Sequence, residues 1–155
     1  MKKIVIIIIF VFISGHLFAQ EIGIDGFVLG NSRSTTENNA SKKDFKFNKA
    51  HDNWVEYVTN PHLIHYTLYF GSGNLIKISK LEENYNPSLF ENHIKESYFN
   101  IVLEYGEPTI SSDSYYIWRI GKNKITFKYS STSEQVRTLQ GIETWYTLTI
   151  TTTIE

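Results

Sequence analysis

From Phe45 onward, apolar and polar residues alternate in short runs with the period of two that a strand requires. Phe45 to Lys49 (FKFNK) and Asn53 to Val58 (NWVEYV) are the first two runs. In Leu63 to Phe70 (LIHYTLYF), Ile64, Tyr66, Leu68 and Phe70 fall on one face, with His65, Thr67 and Tyr69 on the other. The next run, LIKISK, brings Ile76 and Ile78 onto the face of Tyr66 and Leu68 if a three-residue loop, Gly71-Ser72-Gly73, joins the strands. Such a loop needs a left-handed residue, and Gly73 supplies it without steric cost.

The period then changes. In Asn86 to Pro108, Phe90, Ile94, Tyr98, Ile101 and Tyr105 recur at helical spacing and predict an amphipathic helix with one apolar stripe. Asn86 can cap it, Pro87 suits its first position, and Gly106 with Pro108 ends it. Glu91 and Lys95 form an ordinary pair four apart on the outer side. Tyr115 to Ser130 returns to alternation around Gly121-Lys122-Asn123-Lys124: Tyr116, Trp118 and Ile120 oppose Tyr129, Phe127 and Ile125. That wholly apolar face is read as the inner wall that receives the helix. Ser130 to Gly141 is polar and reads as a long loop at the rim. The last run, Thr144 to Ile154, turns Tyr146, Leu148, Ile150 and Ile154 inward and Trp145, Thr147, Thr149 and Thr151 outward. Upstream, Gly23 to Ser32 predicts a short strand closing in a glycine turn, and Arg33 to Asp44 lacks an apolar period, so it reads as a loop or a weak helix.

These elements give an α+β fold, an antiparallel sheet of hairpins with one main helix packed on one face. The hairpins YTLYFGSGNLIKIS and YIWRIGKNKITFKYS look alike, which leaves open a duplicated unit or two hairpins obeying the same rules. Residues 20–155 form a single domain in this reading. The first 19 read as an address: Lys2 and Lys3, the apolar run Ile4 to Ile13, and Ala19 before Gln20 match a secretory signal peptide cleaved near Ala19/Gln20, and the run is short for a membrane span. The expected location is secreted or periplasmic, with no membrane span after cleavage.

Composition then removes several functions. The chain has no cysteine, which excludes thiol catalysis, a cysteine zinc site, disulfides and a lipid anchor on cysteine; a chain of this length can instead bury an ordinary core. With 15 Lys+Arg against 16 Asp+Glu and no basic run, nothing points to nucleic acid. Neither a Gly-x-Ser-x-Gly elbow nor a glycine-rich phosphate loop is present. No cofactor is expected.

Two constellations carry chemistry. His62-x-x-His65 with His51 upstream offers imidazoles to a metal, although residues three apart on a strand point to opposite faces, so these histidines converge only if the chain bends near Pro61. The outward row Thr147, Thr149 and Thr151, with Trp145 and Tyr69, is the other: an exposed aromatic is costly unless covered, and such residues anchor interfaces.

The helix followed by YGEP, then YYIW and ITFKY, resembles the helix, Gly-x-Pro turn, Trp-bearing strand and next strand of the SmpA/OmlA-like small envelope proteins. That fold is similar to the repeats of the β-lactamase inhibitor protein. LGNS, Leu29 to Ser32, is also similar to the start of that family's first helix, but the segment after it lacks the apolar helix pattern and the lipid-bearing cysteine is absent. The resemblance implies an envelope or extracellular interaction module. The function expected is therefore an exported protein-binding module without a catalytic site, using Trp145, Tyr69, Thr147, Thr149 and Thr151; the alternative is a small metal-dependent or carboxylate-based hydrolase built on His51, His62 and His65.

Overall fold

The computed structural model describes residues 21–59 and 64–155, so the first 19 residues, read as a signal peptide, and His62 lie outside the described residues. The chain is α+β. A two-stranded sheet, β1 (Gly23–Ile24) and β2 (Phe27–Val28), is followed by α1 (Arg33–Lys42) and the strands β3 (Lys46–His51), β4 (Trp54–Thr59), β5 (Ile64–Gly71) and β6 (Asn74–Asn84). Then come α2 (Pro87–Tyr105), β7 (Ile110–Ser112), β8 (Tyr115–Ile120), β9 (Asn123–Thr138) and β10 (Gly141–Ile154). The large sheet runs β3-β4-β5-β6-β10-β9-β8-β7, antiparallel throughout.

A helix followed by a four-stranded meander thus occurs twice, with the fourth strands, β6 and β10, paired at the centre. The similar hairpins in the sequence are not equivalent in this order. One joins the third and fourth strands of its unit, β5 and β6, and the other joins the second and third, β8 and β9.

The core lies on one face of the sheet. Val55, Leu68, Ile78, Ile154, Ile125 and Trp118 follow one another across the strands by register and are all buried. At one side Phe27 of β2 stacks on Tyr57 and Tyr66 (ring centroids 6.2 and 5.3 Å), and at the other Tyr98 of α2 meets Tyr116 and Trp118 (4.7 and 5.9 Å). The expected inner wall therefore receives α2, whose stripe Phe90, Ile94, Tyr98, Ile101 and Tyr105 gains Val102. Gly106, at φ +79°, ends α2, and the Trp118 indole Nε1–H donates to its carbonyl at 2.7 Å. That bond links YGEP to YYIW and ties the helix end to the sheet. Tyr105 Oη donates to the Gly23 carbonyl at 2.8 Å and holds the small sheet beside α2.

Two expectations are corrected and one pair of alternatives is decided. Of the loop or weak helix read for Arg33 to Asp44, the chain forms the helix Arg33–Lys42: Ser32 Oγ accepts from the Thr35 amide at 3.2 Å as an N-cap. Its buried contacts are only Thr36 and Ala40, four apart, too narrow and too polar a stripe to register as an apolar period. The β5–β6 loop is two residues, not three: Ser72 (φ +52°) and Gly73 (φ +82°) make the turn, and Gly71 pairs with Asn74. A register shift between Tyr69 and Phe70 then puts Leu75 inside and leaves Ile76 54% exposed. Finally, Ser130 to Gly141 is no rim loop. β9 runs on to Thr138, turns through Leu139-Gln140 and returns as β10, forming a two-stranded arm. Because β10 meets β6 only from Leu148 onward, Tyr146 keeps the inward parity but stays 38% exposed on the arm.

Candidate functional site

Both helices and the small sheet pack on the same side of the large sheet, since their contacts (Phe27, Ala40, Phe90, Ile101) belong to one core cluster with the inward residues of the strands. Among the described residues no element covers the other face. Along its centre the register aligns Thr126, Thr153, Ser79 and Thr67 in one row and Lys128, Thr151, Leu81 and His65 in the next. The first row is short-chained and polar, and the second sets Thr151 between Lys128 and Leu81.

Aromatic rings and cations flank that centre. Lys49 Nζ lies 5.7 Å from the Trp54 ring, Lys77 Nζ 5.6 Å from Tyr69, and Lys128 Nζ 5.3 Å from Tyr115. Trp54 and Tyr69 are register partners and His51 stacks on Trp54 at 5.4 Å, so the three rings form one row at an end of the face. Trp54 and Tyr115, two of the flanking aromatics, were not singled out in the sequence; continuing the outward parity from Tyr69 through register partners would have found Trp54.

The expected patch is divided. Thr147, Thr149 and Thr151 do run along β10 toward Trp145, which is 58% exposed and donates its indole N–H to Glu143 Oε2 at 3.3 Å. Thr149 Oγ1 shares a hydrogen bond of 2.9 Å with Ser130 Oγ. Tyr69, however, sits at the level of Lys77 and Glu155, which form an ion pair of 3.3 Å at the far end of the strands. At about 3.3 Å per residue, Trp145 stands about 33 Å up β10 from Glu155. The structure joins Trp145 to the threonine row and joins Tyr69 to Trp54 and His51.

The histidines are also apart in their contacts. His65 Nδ1 approaches Glu56 Oε1 at 3.4 Å on the uncovered face, while His51 stacks on Trp54. Among the described residues no group of three His, Asp or Glu is arranged to hold a metal. Glu56 instead anchors the edge of the sheet: burial disfavours its charge, but the amide of Asn48, His65 and Lys49 (Nζ to Oε2 3.4 Å) outweigh this and hold its pKa below the ordinary carboxylate value.

The other concentration of charge lies beneath α2. Lys80 and Glu82 continue the inward parity of Ile78 along β6, a signal present in KLEE but masked by its charge. Lys80 Nζ pairs with Glu82 Oε1 at 3.0 Å and Asp25 Oδ2 at 3.1 Å; Tyr66 Oη donates to Asp25 Oδ2 at 2.7 Å, and His93 Nε2 lies 2.9 Å from Glu82 Oε2. The Glu82 side chain is only 5% exposed and Lys80 14%. A cavity of about 130 Å³ opens beside them, bounded by Asp25, Asn100, Glu104 and Tyr105. Burial presses the Lys80 ammonium toward neutrality, yet the carboxylates of Glu82 and Asp25 overcome it and raise its pKa. A nucleophilic or basic lysine needs the opposite shift. The cluster is thus an electrostatic clip between β6, the small sheet and α2.

Neither a family model nor any curated protein or solved structure matches the chain significantly. No described helix is long and apolar enough to cross a membrane.

Proposed function

We propose that the protein is an exported interaction module that binds a protein partner on the uncovered face of its eight-stranded sheet. The observation that carries this reading is that face itself: a wide sheet surface left bare by every described element, with Thr126, Thr151 and Thr153 at its centre and Trp54, Tyr69 and Tyr115 around it. Short side chains let another surface approach closely, and rigid aromatic rings supply contact area at low entropic cost. A cavity on this face, about 320 Å³ beside Tyr115, Lys128, Thr149 and Thr151, is open, which favours a macromolecular surface over an enclosed small ligand. The likeness of YGEP, YYIW and ITFKY to small envelope proteins, and the signal-like start, point to the envelope or the medium as the place where it acts.

The test is site-specific photo-crosslinking in the producing cells. A photoreactive residue at Thr67 or Thr151 is expected to capture one discrete protein, and the same residue at Glu96 on α2 is expected to capture none. Capture from Glu96 alone, or from no position on the sheet, refutes the proposal. Purification of a mature chain beginning at Gln20 checks export.

A further inference from the structure

We infer that the free edge of β10, Gly141–Thr147, is a self-pairing strand that joins two copies of this chain into a two-fold dimer through one continuous sheet. β6 ends at Asn84 and reaches β10 only at Leu148, so over Gly141–Thr147 the strand pairs with β9 alone. Among the described residues this leaves a ribbon of two strands with no third strand beside it, an arrangement of marginal stability in water. It also leaves about 23 Å of strand edge, at roughly 3.3 Å per residue, that contains no lysine or proline to blunt it. The residues on it are apolar beyond what an isolated edge needs: Ile142 is 71% exposed, Trp145 58% and Tyr146 38%, with Tyr85 58% exposed beside them.

The sequence of the edge selects its occupant. In an antiparallel pair related by a two-fold axis, residues of equal parity must oppose one another so that each face meets its own kind. Centring the axis on Thr144 places Ile142 opposite Tyr146 of the second copy, twice, on the helix side, and an aromatic against a β-branched residue is a favourable cross-strand pair. On the other side Glu143 falls opposite Trp145, whose indole N–H already bonds Glu143 Oε2 within one chain, and Gly141, lacking a side chain, falls opposite Thr147. Moving the axis one residue, to Glu143, would oppose Glu143 to itself and lose both Ile–Tyr pairs. The register centred on Thr144 is the one that pairs both copies of Ile142 with Tyr146. The opposite edge of the ribbon, on β9, carries Glu134, Gln135 and Arg137 with Val136 as its one apolar residue among serines and threonines, and has no such apolar register. Pairing joins two eight-stranded sheets and doubles the uncovered face, while Trp54 and Tyr69 stay far from the junction.

Sedimentation equilibrium on the protein as isolated from producing cells tests this. A reversible dimer is expected, and Ile142→Lys, at an exposed position that leaves the monomer fold intact, weakens it by about tenfold or more, because it removes both Ile–Tyr pairs and puts a cation at the edge. Leu139→Lys at the turn, outside the paired segment, leaves the dimer unchanged. The chain has no cysteine of its own, so Thr144→Cys, on the axis, gives a disulfide-linked dimer under mild oxidation, and Gln135→Cys on β9 does not. A protein that is monomeric at all accessible concentrations overturns the inference. So does a dimer that survives Ile142→Lys or in which Thr144→Cys fails to crosslink. None of these results depends on a partner at the sheet face, so each proposal fails separately.

Discussion

Replacing Lys80 by methionine keeps most of the side-chain volume and removes one charge from the clip beneath α2. Glu82, 5% exposed, would then face His93 alone, and Asp25 would keep only the Tyr66 hydroxyl. Removing one partner of a buried ion pair costs about 3–5 kcal/mol, most of it the penalty of the charge left behind. The lower end applies here, because Asp25 is 40% exposed and His93 Nε2 still lies 2.9 Å from Glu82 Oε2. We expect a loss of about 3 kcal/mol in urea unfolding at pH 8, corresponding to a fall in Tm of about 10 °C for a domain of this size. Lys80→Met combined with Glu82→Leu removes the orphaned carboxylate and recovers much of the stability, since apolar replacement of a whole buried pair is often neutral or better. A loss below about 1 kcal/mol for Lys80→Met, or a double variant no more stable than the single one, would refute the clip.

Three further outcomes follow from the same coordinates. Glu56 and Glu155 have folded pKa values below the ordinary 4.5, so their stabilisation is complete above that value and is lost as pH falls below it; Glu56→Gln should flatten the stability profile below pH 4.5 in acid titration followed by circular dichroism. Gly106→Ala should cost about 1 kcal/mol, the strain of a left-handed alanine, because a Cβ there meets nothing within 4 Å; a much larger loss in thermal unfolding would contradict that open space. Leu75→Ala should cost about 2–5 kcal/mol and Ile76→Ala less than about 0.5 kcal/mol, and equal losses would show that the register shift at Tyr69/Phe70 is absent.

What the chain reveals of its fold depends on how far each local rule controls the outcome. Alternation in β5, β8 and β10 and the stripe on α2 were legible because one face of each is buried and the period is undisturbed. Ile76 was misplaced because a single bulged residue inverts every later face assignment in a strand, and no residue type in LYFGSGN announces the bulge. The arm was misread for a different reason. Ser130–Thr138 contacts no core, so selection for burial leaves no apolar alternation on it, and a strand held only by its neighbour's backbone looks like a polar loop. Likewise α1 buries just Thr36 and Ala40, and its cap at Ser32 was the available signal.

The candidate site divides along the same line. Parity along one strand correctly put Trp145 and the threonine row on the outward side, but parity says nothing of distance along the sheet. That distance depends on which strands pair: β10 lies beside β6 with Ile154 opposite Ile78, which carries Tyr69 to the end of the sheet away from Trp145. Trp54 became Tyr69's neighbour through the β4–β5 register, a relation between runs that no single run contains. The same topology explains why both ends remain uncovered among the described residues. The helices and the small sheet share one face because their apolar stripes need the inward residues of the strands, so the opposite face is left to threonines and lysine-capped rings. The arm escapes cover because β6 stops at Asn84, seven residues short of the start of β10. A sheet face without a layer and a strand without a neighbour are two different deficits of cover, and the residues at each are those suited to a partner of the corresponding shape.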